Sequence, residues 1–503
     1  MKNLVAKSLC LFSISAVLSV PACRAVDSTT PQKINGATPL EWSKRMADSE
    51  TARKGDKHAW KEGGSAKWDY TVGLFTLSLL KLNEVTPNAH HVAFVTNTIG
   101  SFISDEGKIQ GYKPEEFQLD ALNPGKTVLA LFNLTHEERY KKCAAMLRKQ
   151  LDTQPRTSDG GFWHKQRYTE QMWLDGLFMG APFYAECAQL FKTPKDFDDI
   201  TKQFRLIDEH LYDAKSGLFY HGWDSKKVQD WANKDTGCSS NFWGRAVGWY
   251  VMGIVDTLDF LPADHADRPW LIAHLKKVAD GIVKWQDGDT GLWWQVMDQG
   301  KREGNYLEAT CATMFVYSLA KGVNHGYLGK EFTPAILKGY NGIVTKLIKT
   351  DGDKISLTQC CSVAGLGASP SNGYKRDGSF VYYVHEPIVE NDLKGVGPFI
   401  LAGIELQKLS GLSVSSAKQS HGPIHFKNLP QKETIEIYTA LTGAEIKRDE
   451  RLDLIPFSLN LDSADSTSEE AIVQLERAMR EQFGVVAEHV DAKHITLKPT
   501  TTK

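Results

Sequence analysis

A carboxylate sits in this chain where few are tolerated. In QMWLDGLFMGAPF, residues 171–183, Asp175 falls between Trp173 and Leu177, among Met172, Leu174, Leu177, Phe178 and Ala181. Those apolar positions recur at helical spacing and predict one helix over 171–190, with Asp175 inside it. Burying a carboxylate is costly unless it is paired, hydrogen-bonded or protonated. Burial also raises its pKa toward the range a general acid needs near neutral pH. Structural carboxylates shift the same way, so the residue alone leaves both roles open. Trp163, His164 and Trp173 stand close by in sequence. Flat aromatic faces with a few polar groups are how proteins hold sugar rings, although a single aromatic is more often core.

The elements that must position these residues come from a chain of 503 residues with formal net charge -2. That length implies one large domain plus an appendage. The near-neutral balance lacks the clustered basic excess of a nucleic-acid surface, so no nucleic acid is expected as partner. Walker, dinucleotide and HExxH patterns are absent from the sequence. Residues 1–22 read as a signal peptide: Lys2 and Lys7, then a short apolar run ending at Val20-Pro21-Ala22. Export to the periplasm or cell surface of a bacterium is the expectation. Cys23 directly after the cleavage site permits a lipid anchor, the one membrane link foreseen. The remaining cysteines are scattered, and Cys143, Cys187 and Cys311 fall in helical patterns as small buried hydrophobes.

Residues 23–38 form an N-terminal segment. From 39 to 412 long amphipathic stretches alternate with short Gly-rich, aromatic-rich turns. Helices are expected over 68–82, 92–103, 127–134, 137–151, 171–190, 194–211, 242–261, 269–285, 305–323, 334–348 and 396–409. The turns repeat a theme: DEGKIQGY at Asp105, SDGGFWHK at Ser158, KSGLFYHGWD at Lys215, DTGLWWQVMD at Asp289 and RDGSFVYYVHEP at Arg376. Such self-similarity indicates repeated helical hairpins, with the turns collected at one end around a shared mouth. The fold class is therefore mainly α, an (α/α)6 barrel. A linker, 413–430, leads to a small α+β module, 431–503, with a capping box at Ser466 and Glu469 before a helix faced by Ile472, Leu475, Met479 and Phe483. This module resembles the short N-terminal domains of secretins and outer-membrane transporters. It shows no catalytic constellation and is expected to bind a protein partner.

The stretches GGFWHK, YTEQMWLDGLFMGAPF, GLFYHGWD, SSNFWGRAVGWY, GLWWQV, GNYLEATCATMFVYSLAKG and NDLKGVGPF run in order through most of residues 68–409. Together they resemble the unsaturated rhamnogalacturonyl hydrolases, glycoside hydrolase family 105. The resemblance implies a small oligosaccharide substrate, left by a polysaccharide lyase and ending in a 4,5-unsaturated uronic acid. A carboxylic acid protonates C4 of its vinyl ether, water adds at C5, and the resulting hemiketal opens. By motif, Asp175 is the implied acid and base, and Asp120 in FQLDAL the second carboxylate, a like charge that would help keep Asp175 protonated. The resemblance further implies His221 beside the reacting ring, Trp243 as a stacking face and Arg245 as partner of the substrate carboxylate, the task for which a planar guanidinium fork is suited. Tyr70, His164, Lys165 and Trp173 would complete the pocket. Glu308, His385 and Glu386 lie in mouth-facing segments behind it. No metal or organic cofactor is implied, and no ligand cluster suggests one.

Two other readings stay open at this level. One is an inverting glycosidase that uses Asp120 and Asp175 on a saturated sugar. The other is a barrel that binds glycans without turning them over.

Overall fold

A computed structural model describes residues 33–55, 67–367 and 370–409. In the C-terminal part it describes 425–430, 434–435, 438–439, 445–448, 458–462, 468–491 and 494–499. The expected signal peptide, Cys23 and residues 413–424 of the linker lie outside the described residues.

Among the described residues thirteen α-helices make up the barrel region: α1 (Pro39–Lys54), α2 (Tyr70–Val85), α3 (Ala89–Ile99), α4 (Gly125–Thr135), α5 (Glu138–Asp152), α6 (Leu174–Phe191) and α7 (Asp196–Leu211), then α8 (Gly244–Thr257), α9 (Arg268–Lys284), α10 (Ala309–Asn324), α11 (Thr333–Gly342), the short α12 (Phe380–His385) and α13 (Leu393–Leu409). Helices α2, α4, α6, α8, α10 and α13 each touch the next, and α13 returns to α2, closing a ring of six. Helices α1, α3, α5, α7, α9 and α11 pack outside it. The chain is an (α/α)6 barrel.

Sequence decides which helix goes where. Every residue of α8 from Gly244 to Val255 is buried, as is nearly all of α10. A helix apolar all round belongs inside. α7, by contrast, buries Phe197, Ile200, Phe204, Ile207 and Leu211 on one side and carries Asp198 and Arg205 on the other. Gly403 of α13 marks a close crossing: a Cβ there would stand 2.4 Å from the Pro39 carbonyl oxygen of α1. The inner helices run the same way. Their last turns meet at the far end, where Lys321 of α10 pairs with Asp256 after 2.7 Å and Asn324 of α10 donates to Glu405 of α13.

The expected 171–190 helix is corrected. Residues Gln171–Trp173 are a short strand, antiparallel to Gly222–Asp224, with Trp173 opposite Gly222. Glu170, with φ +62°, turns the chain before it. A Cβ at residue 222 would stand 2.9 Å from Trp173 Cδ1, so glycine lets the indole lie against the partner strand. Asp175 is thus the second residue of α6, not a mid-helix group.

In the C-terminal region, α14 (Ser468–Phe483) packs on the strands Val485–Asp491 and His494–Pro499. His494–Pro499 also pairs in parallel with Glu445–Arg448. Tyr438, Leu475, Met479, Val485, Ile495 and Leu497 form a core of their own. The linker is shorter than expected, because His425–Pro430 is a strand paired with Ser458–Asp462. Among the described residues, no helix is long and apolar enough to cross a membrane.

Candidate active site

Main-chain bonds bring the sequence motifs together. The Leu174 amide donates to the His221 carbonyl at 3.0 Å, which lays the start of α6 beside YHGWD. The His164 amide donates to the Gln171 carbonyl at 2.9 Å, and His164 in turn accepts from the Leu119 amide at 3.1 Å. Asp120, His164, Asp175 and His221 therefore line one end of the barrel, where the inner helices begin.

Asp175 Oδ2 lies 3.2 Å from His221 Nε2. The two atoms touch, but their alignment is not that of a hydrogen bond, and among the described residues neither has another partner. Catalytic hydrogen bonds are often loose in a substrate-free site. The Asp175 side chain keeps 13% of its exposure, while His221 is fully buried. Tyr383, a residue that sequence reasoning did not single out, places its hydroxyl 2.8 Å from His221 Nδ1.

Asp120 differs from expectation. Lys165 Nζ lies 2.6 Å from its Oδ2, and His164 Nε2 lies 3.3 Å from its Oδ1. Burial pushes this carboxyl up, but the Lys165 ammonium and then His164 outweigh it and hold it well below the usual carboxylate range. A carboxylate neutralised in this way is not the bare like charge foreseen beside Asp175. Lys165 and His164, named as pocket residues, act here on Asp120.

Trp173 is buried, stacked on His164 at 4.8 Å and on Tyr168 at 4.5 Å between ring centroids. Tyr70 opens α2 half-buried, edge-on to Trp249 at 6.0 Å. Burial, then Asp69 and Asp120, raise its phenol pKa. Trp243 does not offer the expected stacking face. It is 1% exposed, with the Arg245 guanidinium 4.5 Å from its ring centroid and Tyr383 parallel to it at 5.8 Å. Its indole N–H donates to Gln295 Oε1 at 3.1 Å.

Arg245 is the second residue of α8, a poor place for a cation next to the dipole. Its Nη1 donates to the Cys361 carbonyl and, at 3.4 Å, to Thr310. Glu308 lies near enough to favour the charge. Arg245 is 1% exposed, so it does not offer the expected open partner for a substrate carboxylate; among the described residues its Nε has no hydrogen-bond partner. Glu308 itself caps α10, accepting from the amides of Thr310, Cys311 and Cys361 at 2.7–3.0 Å, so it builds the site from behind. Glu386 accepts from Ser371 at 2.8 Å, and His385 is bonded to the Val381 carbonyl of its own helix. Among the described residues no group of three or more His, Cys, Asp or Glu side chains is arranged to hold a metal ion. The six described cysteines are free and buried.

Comparison with known proteins bears on the family and the fold. The family model for Glycosyl Hydrolase Family 88 matches residues 42–410. A solved glycoside hydrolase from family 105 of C. acetobutylicum ATCC 824 is 44% identical, with a TM-score of 0.69 over 73% of this chain and 99% of that one. The unsaturated rhamnogalacturonyl hydrolase YesR of Bacillus subtilis is 24% identical over 57% of this chain and 77% of its own length. An unsaturated 3S-rhamnoglycuronyl hydrolase of Alteromonas is 29% identical over 46% of this chain and 50% of its own length. The chain therefore matches Glycosyl Hydrolase Family 88 and belongs to the unsaturated rhamnogalacturonyl hydrolase family, glycoside hydrolase family 105, as an enzyme acting on unsaturated uronyl sugars.

Proposed function

We propose that the enzyme removes a 4,5-unsaturated uronic acid from the non-reducing end of lyase-generated oligosaccharides, unsaturated galacturonyl-rhamnose foremost, by hydrating the vinyl ether. Asp175 gives its proton to C4. Water adds at C5, returning a proton to Asp175. The hemiketal then opens and releases the remaining sugar.

One observation carries this reading. Among the described residues Oδ2 of Asp175 has no hydrogen-bond partner, although the buried carboxylates Asp120, Glu308 and Asp224 are each held by two or more partners. A nearly buried carboxyl left uncommitted is one kept for a ligand. The gathered N-termini of the inner helices favour a negative sugar. A two-carboxylate inverting mechanism is less well supported, because Lys165 and His164 depress the basicity that Asp120 would need. Unsaturated uronates absorb in the near ultraviolet. Loss of that absorbance on adding the protein, abolished in Asp175→Asn, is the expected result. Cleavage of a saturated disaccharide, or binding without turnover, would replace this reading. The pattern of residues 1–22 supports export as the setting, with Cys23 available for a lipid anchor and the C-terminal module for a protein partner.

A further inference from the structure

Tyr383 lies on α12 and is fully buried. Among the described residues its hydroxyl has one hydrogen-bond partner, Nδ1 of His221 at 2.8 Å, across 162 positions of chain. A phenol has a single proton to give. Were Nδ1 the donor instead, that proton would be buried with no acceptor, which folded proteins avoid. Burial, followed by the adjacent Tyr382 and by Asp175, raises the phenol pKa well above its usual value, so the hydroxyl keeps its proton. Trp243 holds both rings in place, with centroids 4.7 Å from His221 and 5.8 Å from Tyr383. That indole, expected to stack on sugar, thus serves the histidine.

We propose that Tyr383 is a positioning residue: by donating to Nδ1 it holds His221 as the Nε2–H tautomer, which sets a donor 3.2 Å from Oδ2 of Asp175, to close into a hydrogen bond as charge develops there. The other nitrogen of a histidine commonly sets its tautomer in this way. The two oxygens of Asp175 then differ. Oδ2 is buried against His221, and the exposed part of the side chain lies away from it. Oδ1 carries the proton. It passes from Oδ1 to C4 as the double bond's electron pair forms the new C–H bond. The carboxylate left behind is stabilised at Oδ2 by Nε2–H. Water oxygen bonds to C5, and the proton it releases returns to Oδ1.

The inference rests on Asp175 being the acid, and its test separates the two claims. Protein carrying 15N in its histidine rings is examined by NMR, with His221→Gln identifying the His221 signals. Pyridine-type Nδ1 with pyrrole-type Nε2 is expected in the substrate-free enzyme. The opposite tautomer overturns the proposal whether or not any sugar is turned over. Tyr383→Phe removes one oxygen and keeps the ring. It should abolish the tautomer preference and lower kcat about 10–100-fold, with KM within about twofold. Unchanged kcat, or a raised KM at unchanged kcat, also overturns it.

Discussion

Replacing Lys165 with Met would leave Asp120 in a nearly closed site with His164, 3.3 Å away, as its remaining partner. The side chains of Lys165 and Asp120 are 19% and 11% exposed and meet at 2.6 Å. At an effective dielectric constant of about 20, the gross attraction at that distance is on the order of 6 kcal/mol. Desolvation offsets much of it. Breaking a buried pair costs about 3–5 kcal/mol, and the partial access of Lys165 to water lowers the expectation to about 2–4 kcal/mol. The sign with pH follows from the depressed carboxyl. Its stabilisation is present above the ordinary carboxylate value of 3.8 and is lost as pH falls through the lower folded value. In Lys165→Met, burial dominates and the carboxyl titrates upward instead, so its ionised form destabilises the fold at neutral pH. Urea unfolding at pH 7 and pH 4 reads the difference. The gap between wild type and variant should be about 2–4 kcal/mol at pH 7 and clearly smaller at pH 4. Adding Asp120→Asn should recover at least about half of the loss, because neighbours in one pair do not act additively. An equal gap at both pH values, or a double variant no more stable than the single one, would refute the reasoning.

Asp175→Asn should lower turnover about 10²–10⁴-fold in the near-ultraviolet assay. Its urea midpoint should match or exceed the wild type's, since among the described residues Oδ2 of this carboxyl has no hydrogen-bond partner. Glu308→Ala should lose at least about 3 kcal/mol in urea unfolding, because four donors lose a buried acceptor. Glu308→Gln should retain part of that. Lys126, 4% exposed, has its amine pushed down to about 7, chiefly by burial, from an ordinary value of 10.5. The unfolded chain binds the extra proton between those values, so wild-type stability should climb as pH rises through that window. Lys126→Met should accordingly be more stable at pH 6 by more than about 1 kcal/mol, with the advantage shrinking toward pH 10.

Much of this protein was legible as a string. The 3.6-residue periodicity places eleven of the described barrel helices to within a few residues, α1 and the short α12 not among them, because an inner helix must be apolar throughout and an outer one on a single face. The repeated Gly-aromatic turns announce a shared mouth, and motif order assigns Asp175, Asp120 and His221 to it. Tertiary structure decided the rest through partners far away in the chain. α6 begins at Leu174 because Trp173 pairs with Gly222, and no local pattern reports a strand partner 49 residues off. Trp243 is covered by Arg245 and Tyr383, so its exposure could not be read from its type. Asp120 is neutralised by Lys165, which a motif treats only as another pocket residue. Periodicity records which side of an element is buried. It does not record which polar atoms meet there, and those meetings set the charge, the tautomer and the freedom of the groups that do the chemistry.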